Sequence, residues 1–461
     1  MLFPLPLTPF EYYYWSDDRR EYPTAFPIDL SFSGKLDQAA FLTALAQARA
    51  RHPLLSALVD GSTPRPQWIS SGQQTLFVDW APQGVPITHP DGEYIDLRTH
   101  VGLRIWVRTA ENTTRVLFEF HHACCDGVGS LQFIEELLVC YAGAAGGAGE
   151  PPKLSELVVE RLRDRGALDA GSSDKPSLTI AVRDTLITAV VWAEIVFQRS
   201  ALLAVPSPNA AARELDLSRP FLEFETQAIS SEVTQQLRGI AASRGTTLND
   251  LLLRDLFIVL RDWNQLHAEA SRGRLRVSVP INVRGPDERT MPAANRIGFA
   301  FVSPKRREFG NEVKLLDAVH RQMERIKQWK LALFFLGGLA FASNFKRLVP
   351  WMLGRNRSFA TMVLSNIGRV FSQSALPRQE GRLVCGNVIL DGITCVPPIR
   401  PLTRAAIAVS EYAGNTIICL RCDPHLFRRD ESRALLDSYI NRLQATARAG
   451  LKGVPPRRRQ P

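Results

Sequence analysis

A disulfide framework is the first thing this chain lacks. Its seven cysteines are an odd number, and two of them, Cys124 and Cys125, are adjacent. That usage excludes a small secreted scaffold and suits a reducing, cytoplasmic setting. Cys419 and Cys422 form a lone CxxC inside a stretch, residues 416–422, that reads as a strand. Odd spacing on a strand sends the two thiols to opposite faces, which argues against zinc or redox use, and no metal site is expected. A secretory leader is not expected either: Met1-Leu2-Phe3-Pro4 has no basic start, and prolines interrupt the apolar run. The net charge of +10 arrives without a nucleic-acid-binding motif. Its basic residues are scattered, apart from Arg457-Arg458-Arg459, so nucleic acid is not an expected partner. A mild positive field suits coenzyme A phosphates, an acidic carrier protein or an anionic membrane surface.

Long hydrophobic runs are scarce as well. Residues 187–205 are interrupted by Glu194 and Arg199. Residues 331–353 are broken only by Lys346-Arg347 and approach the length of a membrane span. The expectation there is a buried helix followed by a second one after Asn344, with contact to a membrane surface as the alternative. At 461 residues the chain exceeds one ordinary core and fits two domains of about 200 residues each. Strands and helices alternate through residues 1–150, up to a Gly/Ala-rich break at 142–152. Residues 151–220 read as a crossover with helices, beginning with a charged one. Residues 221–450 form a second α/β block, and 451–461 form a basic tail expected to be disordered.

The most informative string is His121-His122-Ala123-Cys124-Cys125-Asp126-Gly127. Before it, Arg115 to Phe120 alternate like a strand. After it, Leu131, Ile134, Leu137, Leu138 and Tyr141 recur as one face of a helix. Two histidines thus stand where a strand gives way to a loop, with a carboxylate four residues beyond the second. Imidazole titrates near neutral pH and can take a proton from a hydroxyl or amine attacking a carbonyl. A solvated histidine pair with Asp126 as an ordinary helix cap is the alternative.

The His-His-x-x-x-Asp-Gly pattern resembles the signature of the chloramphenicol acetyltransferase-like superfamily. That group includes peptide-synthetase condensation domains, alcohol acetyltransferases and wax ester/diacylglycerol acyltransferases. Further segments resemble it in order along the chain. These are Pro4-Leu5-Pro6-Leu7-Thr8-Pro9-Phe10-Glu11, Arg51-His52-Pro53-Leu54-Leu55, and Gly245 to Leu253 with a Thr247/Asp250 capping box. They continue with Val277 to Arg284, Asn295-Arg296-Ile297-Gly298-Phe299, and Val363-Leu364-Ser365-Asn366-Ile367-Gly368. The resemblance implies an α/β fold of two acetyltransferase-like halves. Each would be a mixed β-sheet flanked by helices, the two arranged as a V with the site in a tunnel between them. The Asp-Phe-Gly-Trp-Gly of plant-type members is absent.

By the same resemblance, His122 is the general base for acyl transfer from a thioester to a hydroxyl or amine, with no covalent acyl-enzyme. The co-substrate is acyl-CoA or a phosphopantetheine-linked acyl group, with an acyl-carrier protein as alternative donor and no tightly bound cofactor. His121 plays a supporting part. Asp126 is structural and pairs with Arg284 across the halves, or else Arg284 is solvated at a strand end. Gly127 leaves room for backbone or substrate. Ser365 and Asn366 either contact the oxyanion or thioester, or cap a turn before Gly368. Cys124 and Cys125 show no sign of the acidified thiolate that a nucleophile needs. The alternatives are a stand-alone condensation enzyme forming an amide, or a silent scaffold binding an acyl or carrier ligand.

Overall fold

Apolar side chains segregate into two buried clusters, and each is built around one sheet. The computed structural model describes residues 2–72, 74–88, 92, 94–146, 152–167, 192, 199–206, 223–267, 273–345, 348–354 and 358–449. The expected basic tail at 451–461 and most of the 187–205 stretch lie outside the described residues.

The first sheet places Ala25–Ser33 and Thr113–His121 antiparallel at its centre, with Ala25 opposite His121 and Ser33 opposite Thr113. Leu103–Thr109 and Phe77–Pro82 extend it on one side. One face is covered by the helices Gln38–Arg51 and Gly127–Ala144, and Phe118, Phe120, Phe133, Ile134 and Leu137 are buried there. The second sheet is mixed: Met362–Arg369 runs parallel to both Val277–Asn282 and Ala405–Tyr412. Helices Ser231–Ser243, Leu248–Leu266, Glu312–Gln328 and Arg429–Ala449 supply its core partners, among them Leu256, Phe257, Leu315 and Leu436. The Thr247/Asp250 capping box forms as expected, with Asp250 N–H donating to Thr247 Oγ1 and Thr247 N–H donating to Asp250 Oδ2.

Two expectations need correction. The 221–450 block is not one unit, because Val388–Cys395 leaves it and pairs with Ala25–Ser33 of the first sheet, Cys395 opposite Ile28 and Ile389 opposite Ser33. Arg382–Cys385 and Arg378–Gln379 follow it there. The reason is the open edge of Ala25–Ser33, whose unpaired N–H and C=O groups need a partner strand. Tyr412 ties this segment to the second sheet: its hydroxyl donates to Leu390 O and accepts from Leu383 N–H, each at 2.8 Å. The charged helix expected after residue 152 is, within 152–167, only the 3-10 turn Val159–Asp164.

The apolar stretch 331–353 is two helices, Leu331–Ser343 and Leu348–Gly354, with Phe335, Leu336, Leu339, Val349 and Leu353 buried. Among the described residues no helix is long and apolar enough to cross a membrane.

Candidate active site

The motif strand ends at His121, where its ladder stops and a turn begins. His121 N–H donates to Gly102 O at 2.9 Å, His122 N–H to Thr24 O at 3.0 Å, and Cys124 N–H back to His121 O at 2.9 Å. Gly102 is required at this crossing, because a Cβ there would lie 2.1 Å from Cys124 Sγ. The turn delivers Asp126, in extended backbone, to the start of the helix Gly127–Ala144. Its Oδ1 accepts from Gly129 N–H at 2.8 Å as the N-cap.

The two histidines are held very differently. Ala123 N–H donates to His121 Nδ1 at 3.1 Å, so the ring proton sits on Nε2, which faces Asp18 Oδ2 at 3.2 Å. Both nitrogens of His121 are therefore committed to structure. His122 is only 8 % exposed, and its Nδ1 has no hydrogen-bond partner. Tyr14 stacks on its ring, with centroids 4.0 Å apart and planes within 11°, and Phe26 packs at 4.8 Å. Tyr14 Oη lies 3.3 Å from Nε2. Because the rings are nearly parallel, that oxygen sits over Nε2 rather than in the imidazole plane, where a lone pair or N–H points. Burial lowers the His122 pKa to about 4, against the opposing pull of neighbouring polar groups and the Asp126 charge. The imidazole is thus neutral at pH 7, enclosed, and not consumed by a strong partner.

Asp126 is fully buried and pairs with Arg284 in a two-pronged contact, Nη1 to Oδ2 and Nη2 to Oδ1, both 2.9 Å. Arg296 N–H adds a third donor at 2.7 Å. Burial alone would raise this carboxyl. The Arg284 guanidinium and the N–H groups of Arg296 and Gly129 outweigh it and hold the pKa below the ordinary value. Arg284 stands just past the strand Val277–Asn282 and is not solvated; its side chain is 14 % exposed. The motif loop is thereby clamped to the second half. Asn295 Nδ2 strengthens the clamp by donating to the carbonyls of His122 at 2.7 Å and Ala123 at 2.9 Å. His52 reaches the same segment, since its Nδ1 accepts Ala293 N–H at 2.9 Å while Nε2 faces Glu136.

The close backbone approach expected at Gly127 falls instead at Gly129. A Cβ on Gly127 meets nothing within 4 Å, whereas one on Gly129 would sit 3.0 Å from Ala294 O. Asn366 donates from Nδ2 to Asn249 Oδ1 at 3.2 Å and accepts Gly368 N–H at 3.0 Å, where the strand register shifts. That is the turn-capping role. Ser365 lies on the same strand, two residues after Val363. Cys124 and Cys125 are buried free thiols whose pKa values burial drives upward, the opposite of an activated nucleophile.

Two cavities lie near the seam. One, of about 70 Å³, is lined mainly by apolar side chains, including Phe299, Phe335, Leu339, Leu353 and Val363. Tyr13 and Arg400 also line it. Tyr14 contacts Tyr13 edge-on at 5.3 Å, so the His122 imidazole stands one aromatic ring behind that wall. The other is a cleft of about 790 Å³ between the sheets, with Asp29, Arg115 and Leu117 on one side and Thr226, Ala228 and Ile417 on the other. An imidazole open to a wide tunnel is not what the structure shows; stacking by Tyr14 and Phe26 closes it in.

Sequence reasoning reached His122, Asp126 and Arg284 but missed Tyr14, Asp18 and the role of Asn295. Asn295 stands in a segment already quoted for its resemblance, and that was the one available signal.

No protein-family profile matches the chain. Over 265 residues it is 27 % identical to the uncharacterised protein Rv2305 of Mycobacterium tuberculosis strain H37Rv, a match covering 56 % of each chain. The chain therefore aligns with little more than half of that relative's length. Among solved structures it is similar to the first condensation domain of the calcium-dependent antibiotic synthetase bound to a substrate analogue. That match has a TM-score of 0.69 and 14 % identity, and covers 97 % of this chain and 98 % of that one. It is similar as well to a mutant starter condensation domain of rhizomide synthetase in complex with C8-CoA, with a TM-score of 0.67 and 14 % identity over 97 % and 96 % of the chains. The two sheet-rich halves, joined at the His121–Gly127 loop, have the fold of the condensation domains.

Proposed function

We propose that the protein is an acyltransferase that moves an acyl group from a thioester to a hydroxyl or amine, with His122 as general base. The observation that carries this reading is the contrast within the histidine pair. His121 is locked by Ala123 N–H and Asp18, whereas His122 is neutral, dehydrated and free at Nδ1. An acceptor O–H or N–H transfers its proton to the imidazole as its heteroatom attacks the thioester carbonyl. The tetrahedral intermediate then collapses with cleavage of the C–S bond, and the imidazolium returns the proton to the departing thiolate. The nearby Asp126 charge stabilises the transient imidazolium. Val363 lines the apolar cavity, and Ser365, two residues along the same strand, shares its face, so Ser365 is assigned the oxyanion or thioester contact.

The donor we assign is an acyl-CoA, supported by the condensation-fold neighbour that binds C8-CoA. The condensation fold itself favours one second reading, amide formation from a carrier-bound acyl group. Purified protein is to be incubated with a panel of acyl-CoAs and acyl-carrier proteins, with alcohols or amines, while free thiol is followed. Thiol release from acyl-CoA that depends on an alcohol supports O-acyl transfer. Turnover only from the carrier-bound donor and an amine moves the condensation reading ahead, and release from neither donor refutes both.

A further inference from the structure

A general base carries a positive charge while it holds the acceptor's proton, and His122 must do so with little water at hand. Its burial disfavours the cation. The titratable groups facing the ring are Asp126 of the motif loop, the adjacent His121, and Tyr14 of the helix Pro9–Asp17. His121 opposes a second cation beside it. The Asp126 carboxylate favours one, but its two oxygens are already shared among the Arg284 guanidinium and the N–H groups of Arg296 and Gly129. Arg400 and Asp17, whose charges reach Tyr14, pair with each other. Burial keeps the Tyr14 phenol protonated and uncharged.

What Tyr14 offers the imidazole is its ring. The two planes lie within 11° of each other with centroids 4.0 Å apart, so the electron-rich π face of the phenol covers the imidazole. A cation at that distance from an aromatic face is attracted by the ring quadrupole, most strongly where water is absent. A neutral imidazole gains far less, so the contact favours the charged intermediate over the resting base. Tyr14 Oη, 3.3 Å from Nε2, lies over the ring and is badly placed to exchange a proton in the imidazole plane. The face is also fixed in advance. One turn earlier on the same helix, buried Glu11 accepts both prongs of Arg165 at 2.8 Å and Trp68 Nε1–H at 3.0 Å. Just past the helix, Asp18 Oδ1 accepts Thr24 N–H at 2.8 Å while Oδ2 meets His121. Phe10 packs edge-on against Tyr14 with centroids 4.9 Å apart.

We propose that Tyr14 is a catalytic residue whose ring face stabilises the imidazolium formed on His122 between the acceptor's loss of its proton and that proton's passage to the departing thiolate. The proposal rests on His122 being the base. It adds a second reacting group, supplied by a helix remote in sequence from the motif, and it leaves the thioester side to Ser365.

A series of rings of nearly constant shape tests it. Tyr14→Phe keeps the face and serves as the reference, and difluoro- and pentafluorophenylalanine introduced at position 14 withdraw electron density from it. Turnover with an acyl-CoA and a productive acceptor is expected to fall stepwise, about tenfold from phenylalanine to the pentafluoro ring, with both KM values within about twofold. An NMR titration of the His122 ring, its signal identified by its loss in His122→Ala, reads the same contact with no substrate present. Its midpoint, about 4 in the wild type, is expected to fall along the series by about one pH unit. A purely structural tyrosine would move neither reading, because the fluorinated rings fill the same space. A flat response in either measurement overturns the proposal. So does a loss on Tyr14→Phe larger than that of the whole series, which would assign the work to the hydroxyl. A stepwise titration in a protein that releases no thiol from any donor retires the acyl-transfer reading, and the catalytic role with it, whereas a flat series in an active enzyme retires the role of Tyr14 alone.

Discussion

A buried neutral imidazole carries a pH signature that an exposed one lacks. In the unfolded chain His122 titrates at its ordinary 6.5, and in the folded protein near 4. Between those values the unfolded state holds a proton that the folded state does not. The residue's contribution is therefore complete above about pH 6.5 and is lost as the pH falls towards 4, by ~3 kcal/mol in all. Urea unfolding of wild type and His122→Ala across that window checks it; the variant is expected to lose less stability on acidification, and parallel curves would show the imidazole to be solvated. Asp126 and Arg284 were legible in the sequence because a buried carboxylate needs a cation and the motif's resemblance placed both, and the same resemblance pointed to His122. Tyr14 and Asp18 were not, since a helix remote in sequence brings Tyr14 over the imidazole and only tertiary packing selects which of eight tyrosines arrives. Of the two uses open to Gly127, room for backbone or for substrate, the backbone contact belongs instead to its neighbour Gly129, and the space beside Gly127 is open.

At the level of elements, the motif helix is pinned to the second half by one carboxylate. Removing either Asp126 or Arg284 leaves a buried charge unpaired, with an expected loss of about 3–5 kcal/mol in denaturant unfolding. A double-mutant cycle is expected to show strong coupling between them, and additive losses would mean that the contact carries no energy. The crossing strand Val388–Cys395 makes a second join. Tyr412→Phe removes the hydroxyl that serves both Leu383 N–H and Leu390 C=O, and a loss of about 1–3 kcal/mol is expected in the same measurement. Element type was readable for most of the chain, because alternation and 3.6-residue periodicity are local properties. Which sheet a strand joins is not a local property. The alternation in residues 388–395 fixes the faces of that strand but says nothing of the open edge of Ala25–Ser33 that it covers. The charged residues after 152 fit a solvated helix as readily as the short 3-10 turn they form.

For the whole molecule, two cores, each around a large sheet, were foreseeable from length and from the order of resembling segments, and the condensation-domain fold agrees. What length could not convey is that the second block lends strands to the first sheet. Because residues 378–395 complete the first sheet while Arg284 and Asn295 of the second half grip Asp126 and the His122 carbonyl, the loop bearing His122 is held from both sides. A rigidly held, dehydrated base is what the acyl-transfer account asks of this architecture. The measurement that tests it most directly is turnover of His122→Ala and His121→Ala beside wild type, with an acyl-CoA donor and a productive acceptor. The account predicts that His122→Ala keeps its fold and loses 10²–10⁴-fold in rate, roughly the worth of a general base, while His121→Ala loses less. A His122→Ala protein that turns over near the wild-type rate would contradict it.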